Sequence, residues 1–301
     1  MRVVCSFIHY PVAIGRYYQF ALERLAATGA IELKTTGPYT GAWIPWGNGM
    51  NLPVTYAKPP DIVIPATNIN QPVPIEFIER QLGEWQPDLW LQVDAGFHLI
   101  GKPKHGQNFI IGTDPHVLNY DRQRGYADKF FCMQTPYAKA EDEYLPYAFD
   151  PEWHCPEEQP RNYDVCLIGL NYPQRTNLVN RLRERGLKVY YDLGPSYAEA
   201  RALYNQAPIG LNWSSLLDLT ARVFELLGMG RLVVVNRVPD LEQFFTPGRD
   251  LVGFSSLEEA IEAVTYYHEN TEEAIKIAIQ GHKTVQPHTW DARIEQVLSY
   301  V

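Results

Sequence analysis

The chain has 301 residues, 46% hydrophobic and 20% charged, which excludes a disordered or fibrous polypeptide and suffices for two α/β domains of about 150 residues each. A net charge of −9 argues against nucleic acid or an anionic membrane as partner, because phosphate contact needs a surplus of Lys and Arg on the binding face. No uninterrupted run of about 18 apolar residues is present, and the opening MRVVCSFIHY has no small-residue cleavage site, so a cytoplasmic protein without a membrane span is expected. Cys5, Cys132, Cys155 and Cys166 show no CxxC spacing, and the eight histidines form neither HxxxH nor HExxH, so no metal site is expected.

In chain order, the apolar run 3–8 reads as a strand. A helix follows from about Tyr17, with Phe20, Leu22, Leu25 and Ala26 on its apolar side and Gly29 as its stop. Residues 37–74, rich in Pro, Gly and Asn, carry Trp43 and Trp46, enclose the short apolar run Ile62-Val63-Ile64 and read as a partly irregular surface segment. A helix is expected over 75–82. Residues 87–96, 109–114 and 130–133 read as buried parallel strands, the first two ending in an acid, and 144–149 as a fourth. The stretch DPEWHCPEEQPR has three prolines, four acids and no apolar period, the composition of a linker. It suggests an N-terminal domain 1–150, a linker 151–160 and a C-terminal domain 161–288.

Strands at 163–169, 188–191, 209–212, 232–235 and 251–254 alternate with helices at 176–185, 197–205, 220–227 and 240–245, the pattern of a doubly wound parallel sheet. Ser256 to Glu259 has capping-box spacing and opens another helix. One more helix spans 271–283. Gln286-Pro287-His288 then sets apart a last helix, 289–301, which either crosses back to the first domain or caps its own.

The stretch most informative about chemistry is 209–230, IGLNWSSLLDLTARVFELLGMG. A strand ends at Asn212 and a helix starts near Thr220, with Arg222 and Glu225 in its first two turns. Backbone N–H groups at a helix start suit an anion, and an arginine beside them adds a charge-assisted bond to a diphosphate. Glu225, three residues after Arg222 on the same face, suits the hydroxyls of a ribose, or else forms a surface ion pair with Arg222.

Asn212, Arg222-Val223-Phe224-Glu225, Gly228 to Gly230, Leu241 to Phe245, Pro247-Gly248, Gly281-His282 and Trp290 to Arg293 resemble, in order and spacing, the glycosyltransferase domain of the CgeB-like proteins. That family, named for a spore-maturation protein, is similar to glycosyltransferase family 4. The likeness reaches back to Tyr163 through Gly169 and Arg175, and more loosely to Asp94-Ala95-Gly96, Thr113-Asp114-Pro115-His116 and 145–150.

The resemblance implies the GT-B architecture: two Rossmann-like domains facing a central cleft, donor on the C-terminal side and acceptor on the N-terminal side. It implies a metal-independent glycosyltransferase whose nucleoside-diphosphate sugar is a co-substrate, with no cofactor, and whose acceptor is a glycan, a protein or a small molecule. The donor site would comprise Gly169, Arg175, Asn212, Asp218, Thr220, Arg222 and Glu225. Glu225 corresponds to the second glutamate of the family 4 pair; the first falls on Leu217, with Asp218 adjacent but out of register. Arg175 and Arg222 would stabilise the leaving diphosphate. An inverting reaction would need a base, for which Asp94, His116, Asp114 and His9 are candidates, although Asp114 before Pro115 also suits a turn cap. A retaining reaction, as in family 4, needs none.

Two rivals remain in view. A nicotinamide-dependent oxidoreductase or epimerase lacks its GxGxxG at both candidate strands. A non-catalytic sugar- or nucleotide-binding protein on the same scaffold is favoured by Leu217 and opposed by Arg175, Arg222 and Glu225.

Overall fold

Val3, Val4 and Cys5 are almost wholly enclosed, as a strand covered on both faces requires, and they belong to the interior strand β1 (Arg2–Ser6) of the first of two sheets. The computed structural model describes residues 1–43, 58–65 and 71–301. These divide into one unit of Met1–Pro146 with Trp290–Val301 and another of Tyr147–Thr289.

In the first unit, β1 leads to α1 (Ile14–Ala27), β2 (Glu32–Gly37), β3 (Ile62–Val63), β4 (Val73–Pro74) and α2 (Ile75–Leu82). Then come β5 (Leu89–Asp94), β6 (Leu99–Ile100), β7 (Gln107–Gly112), α3 (Asp121–Arg124), β8 (Lys129–Cys132) and β9 (Glu143–Tyr144). Seven strands form one parallel sheet in the order β3-β2-β1-β5-β7-β8-β9; β4 and β6 pair separately.

Three expectations are revised here. A strand, β2, occupies Glu32–Gly37, which reads in the sequence as no element; Thr35 and Thr36 are buried there, and threonines fit a pleated core without apolar alternation. Helix α1 begins at Ile14 and encloses Tyr18, Ala21 and Leu22 together with the polar Arg16 and Gln19, whereas Phe20, Leu25 and Ala26 are only half-buried. The strand expected over 144–149 ends at Tyr144, because Pro146 has no N–H for the ladder. Half of the irregular segment expected over 37–74, including Trp46, lies outside the described residues; Trp43 is 44% exposed.

The last helix, Trp290–Leu298, packs into this unit. Trp290 is completely buried, its ring 5.9 Å from that of Tyr17 and 5.0 Å from that of Tyr18. Arg24 donates two bonds, of 2.8 and 2.7 Å, to the Asp291 carboxylate, and Arg293 donates to the Pro146 carbonyl at 2.9 Å.

The second unit alternates regularly: β10 (Val165–Ile168), α4 (Pro173–Glu184), β11 (Val189–Asp192), α5 (Tyr197–Asn205), β12 (Ile209–Asn212) and α6 (Ala221–Gly228). It continues with β13 (Leu232–Asn236), α7 (Leu241–Phe244), β14 (Val252–Phe254), α8 (Leu257–Glu269) and α9 (Thr271–Val285). The sheet is parallel throughout, in the order β11-β10-β12-β13-β14. Ser256 caps α8 by accepting from the Glu259 N–H at 3.1 Å, while Glu259 accepts from the Ser255 N–H at 2.7 Å. Gly281 lets α9 pass close to the chain at Asp250, whose carbonyl oxygen would stand 2.0 Å from any Cβ.

The proline-rich stretch after Asp150 is fastened to α5. The Glu157 N–H donates to Asn205 at 3.0 Å, Asn205 donates to the Cys155 carbonyl at 3.2 Å, and Arg201 pairs with Glu157 at 3.1 Å.

Candidate functional site

In the second sheet the strand order reverses between β10 and β12, so the loops leaving these two strands diverge and open a crevice at their carboxyl ends, the usual ligand position in an open parallel sheet. Arg175, the third residue of α4, lies across that point. Its Nε donates to the Trp213 carbonyl at 2.7 Å and its Nη1 to the Leu170 carbonyl at 3.3 Å, and its guanidinium sits 5.0 Å from the centre of the Tyr172 ring. Nη2 takes no partner among the described residues. Burial lowers its pKa, yet an arginine stays charged, so a fixed cation is held at the crevice. Gly169 makes this approach possible: its φ is +154°, and a Cβ there would lie 2.8 Å from Nη1.

A second group gathers around α6. Glu225 is buried, 6% exposed, and each carboxylate oxygen faces a nitrogen: Oε2 lies 3.4 Å from Arg222 Nη1 and Oε1 lies 3.6 Å from His154 Nε2. The Arg222–Glu225 ion pair does form, with the glutamate enclosed and the arginine partly exposed. The Arg222 guanidinium stands 5.3 Å from the centre of the Tyr204 ring, and the Tyr204 hydroxyl accepts from the Ile168 N–H at 2.9 Å, at the end of β10. Burial lowers the Arg175 pKa most, Tyr172 opposes that shift, and the charge of Arg222 adds to it, so the two cations share one field.

At the start of α6, Thr220 occupies the N-cap position without capping by its side chain; its Oγ1 is buried with no hydrogen-bond partner, and the same holds for Oδ1 of the 9%-exposed Asp218. Asn212, at the end of β12, donates to Ser214 Oγ at 3.4 Å, and the Ser214 N–H donates to Asn236 at 2.7 Å. Leu217 is 52% exposed. Sequence reasoning passed over His154 and Tyr204; the His154 signal was hidden in a stretch read as linker.

The other candidates belong to the first unit. The Asp94 carboxylate has no exposure: Oδ1 accepts from the Gly96 N–H at 2.7 Å, Oδ2 from Gln123 Nε2 at 2.9 Å, and His98 Nδ1 lies 3.6 Å from Oδ2. His9 is enclosed, stacked on Phe7 at 3.7 Å with Nε2 donating to the Thr36 carbonyl at 3.1 Å, and burial depresses its pKa. Asp114 accepts from Thr113 Oγ1, and its carbonyl takes the Val117 and Leu118 N–H groups at 3.0 Å, which makes it the origin of a turn. His116 is partly exposed and lines a groove of about 410 Å³ with Arg124 and Tyr137.

Burial pushes the Asp94 pKa up to about 6, against the Gln123 and Gly96 hydrogen bonds, which lower it, and with Asp114 adding to the rise. The folded protein therefore holds the Asp94 proton to higher pH than the unfolded chain. The resulting stability is full below about pH 4 and is lost as pH rises through about 6. Denaturation midpoints measured from pH 4 to 7 should fall in the wild type relative to Asp94→Asn, by an amount corresponding to about 3 kcal/mol; a pH-independent difference would refute this.

Residues 154–299, just under half the chain, match the family model described as Glycosyl transferase-like. No curated protein sequence matches. Among solved structures, sucrose-phosphate synthase from Thermosynechococcus elongatus is similar at 14% identity and a TM-score of 0.67, over 100% of this chain and 98% of that one. An α-glucosyltransferase in complex with UDP-glucose and DNA is similar at 9% identity and a TM-score of 0.64, over 100% and 99%. HepE of Anabaena, in complex with UDP and glucose, is similar at 11% identity and a TM-score of 0.57, over 100% of both chains. Two parallel α/β units of seven and five strands, together with these matches, give the chain the GT-B fold, and its residues 154–299 are glycosyl transferase-like.

Proposed function

We propose that this protein transfers a sugar from a uridine diphosphate sugar to an acceptor hydroxyl, without a catalytic metal, and that the second unit binds the donor. The observation that carries this reading is the guanidinium of Arg175 held at the switch point of that unit's sheet, beside Gly169, where a Cβ would crowd it at 2.8 Å. In this reading Arg175 and Arg222 meet the diphosphate, helped by the start of α6, and the enclosed Glu225 accepts the ribose hydroxyls. Uridine as the base is supported by two similar structures, solved with UDP-glucose and with UDP.

Asp218 and Thr220, each with a buried oxygen lacking a partner, are the groups nearest in sequence to serve the transferred sugar, since Leu217 offers no polar atom. Retention of configuration accords with the first unit: Asp94 and His9 are enclosed, and of the two partly exposed candidate bases Asp114 serves its turn, which leaves His116. The motifs quoted above further support a CgeB-like enzyme. A net charge of −9 supports a glycan, protein or small-molecule acceptor over DNA.

UDP at 100 times its dissociation constant should stabilise the protein by about 2.7 kcal/mol, visible as a raised melting temperature, and the shift should vanish in Arg222→Ala. No shift with any common nucleoside diphosphate would defeat the donor assignment. Binding with no transfer and no donor hydrolysis would instead fit a scaffold that holds nucleotides without turning them over.

A further inference from the structure

Glu225 is an enclosed carboxylate on a helix, and its usefulness to a ribose depends on where its two oxygens point. Arg222 fixes one of them, at 3.4 Å from Oε2. The other is met by a residue far away in sequence. The Asp150 N–H donates to His154 Nδ1 at 3.0 Å, and the His154 N–H donates to the Asp150 carbonyl at 2.7 Å, so the imidazole is locked onto the turn that carries it. Because Nδ1 accepts, the ring proton of the neutral imidazole resides on Nε2, the atom that lies 3.6 Å from Glu225 Oε1.

We infer that His154 is a positioning residue for ribose recognition: its Nε2–H faces Glu225 Oε1 and keeps that carboxylate oriented to accept the ribose hydroxyls. The inference rests on the donor reading given above. At 3.6 Å the contact is a charge–dipole approach, and a shift of well under an ångström closes it to a hydrogen bond. Burial keeps the His154 pKa below its ordinary value, with Glu225 opposing that shift, so the neutral, Nε2-protonated ring is the form that faces the glutamate at neutral pH. His154 has little exposed surface, 7%, and so reaches a ligand only through Glu225. The consequence is that the segment 150–154 belongs to the nucleotide site although it contributes no ligand contact.

Two substitutions separate the two nitrogens. In His154→Asn the side-chain oxygen still accepts from the Asp150 N–H, in place of Nδ1, but its side chain brings no donor to Glu225 Oε1. In His154→Gln the side-chain nitrogen replaces Nε2 and keeps that donor, while the bond to Asp150 is lost. The probes are UDP and 2′-deoxyuridine diphosphate, titrated calorimetrically into the full chain.

The wild type should prefer UDP, and Glu225→Gln should lose that preference. His154→Asn should weaken UDP about tenfold and the deoxy analogue little, with a melting temperature near that of the wild type; His154→Gln should retain the preference. In the double variant His154→Asn/Glu225→Gln, no loss should appear beyond that of Glu225→Gln alone. An undiminished preference in His154→Asn overturns the positioning role, and so does loss of the preference in His154→Gln, which decides the matter even if the asparagine variant fails to fold. If the wild type binds neither probe, the donor reading itself falls, and the positioning role with it.

Discussion

Arg175→Ala is expected to lower donor-dependent turnover by about 10²–10³-fold, the range found when one preorganised donor to a developing negative charge is removed. The reason lies in when the charge appears. Before the sugar leaves, the diphosphate oxygen that bridges to it is neutralised by the glycosidic bond; in the transition state that oxygen takes on negative charge, and a cation already held in place meets it at no cost of reorganisation. Arg175 is held in this way by the Trp213 and Leu170 carbonyls and the Tyr172 ring. The loss should therefore fall mainly on kcat, with a smaller rise in KM for the donor. Arg175→Lys keeps a charge but cannot supply the planar fork that spans Trp213 and Leu170, so it should recover only part of the rate. Steady-state donor hydrolysis at varied donor concentration gives both constants; a rise in KM at constant kcat would show that Arg175 binds ground state and transition state alike.

The largest effect on stability is expected at Trp290. Truncation to alanine removes the largest fully buried side chain of the last helix from between Tyr17 and Tyr18, and should destabilise the first unit by about 3–5 kcal/mol. Trp290→Phe should cost much less, since the ring contacts remain and Nε1 has no hydrogen-bond partner to lose. Calorimetric unfolding of the three proteins measures this. An alanine variant that melts with the wild type would mean that the last helix contributes little to the first unit.

The fold was largely legible because strands buried on both faces are written as continuous apolar runs. Leu89 to Val93 and Leu232 to Val235 need no partner to be recognised, and Gly29 and Gly186, both at positive φ, stop their helices where expected. The strand Glu32–Gly37 escaped because its buried residues are threonines, and the inner side of α1 because Arg16 and Gln19 are buried there. At the candidate site, local spacing and resemblance single out Arg175, Arg222 and Glu225, which lie on the helices that follow the clearly marked strands β10 and β12. His154 could not. It meets Glu225 across 71 positions of sequence, and composition alone describes its neighbourhood as prolines and acids. Asp94 shows the converse: a strand-end acid invites a catalytic reading, but only coordinates reveal that Gly96 and Gln123 already occupy both its oxygens.

The return of the last helix to the first unit has a consequence for how the gene can be cut and rejoined. Residues 147–289 are continuous in sequence and lie between two parts of the other unit, so they form an insertion with two junctions. A stop codon before Trp290 deprives the first unit of a core residue while leaving the second whole. Exchanging the second unit between related proteins therefore calls for a cassette joined at both 146/147 and 289/290, and a chimera with a single crossover inherits a mismatched Trp290 pocket.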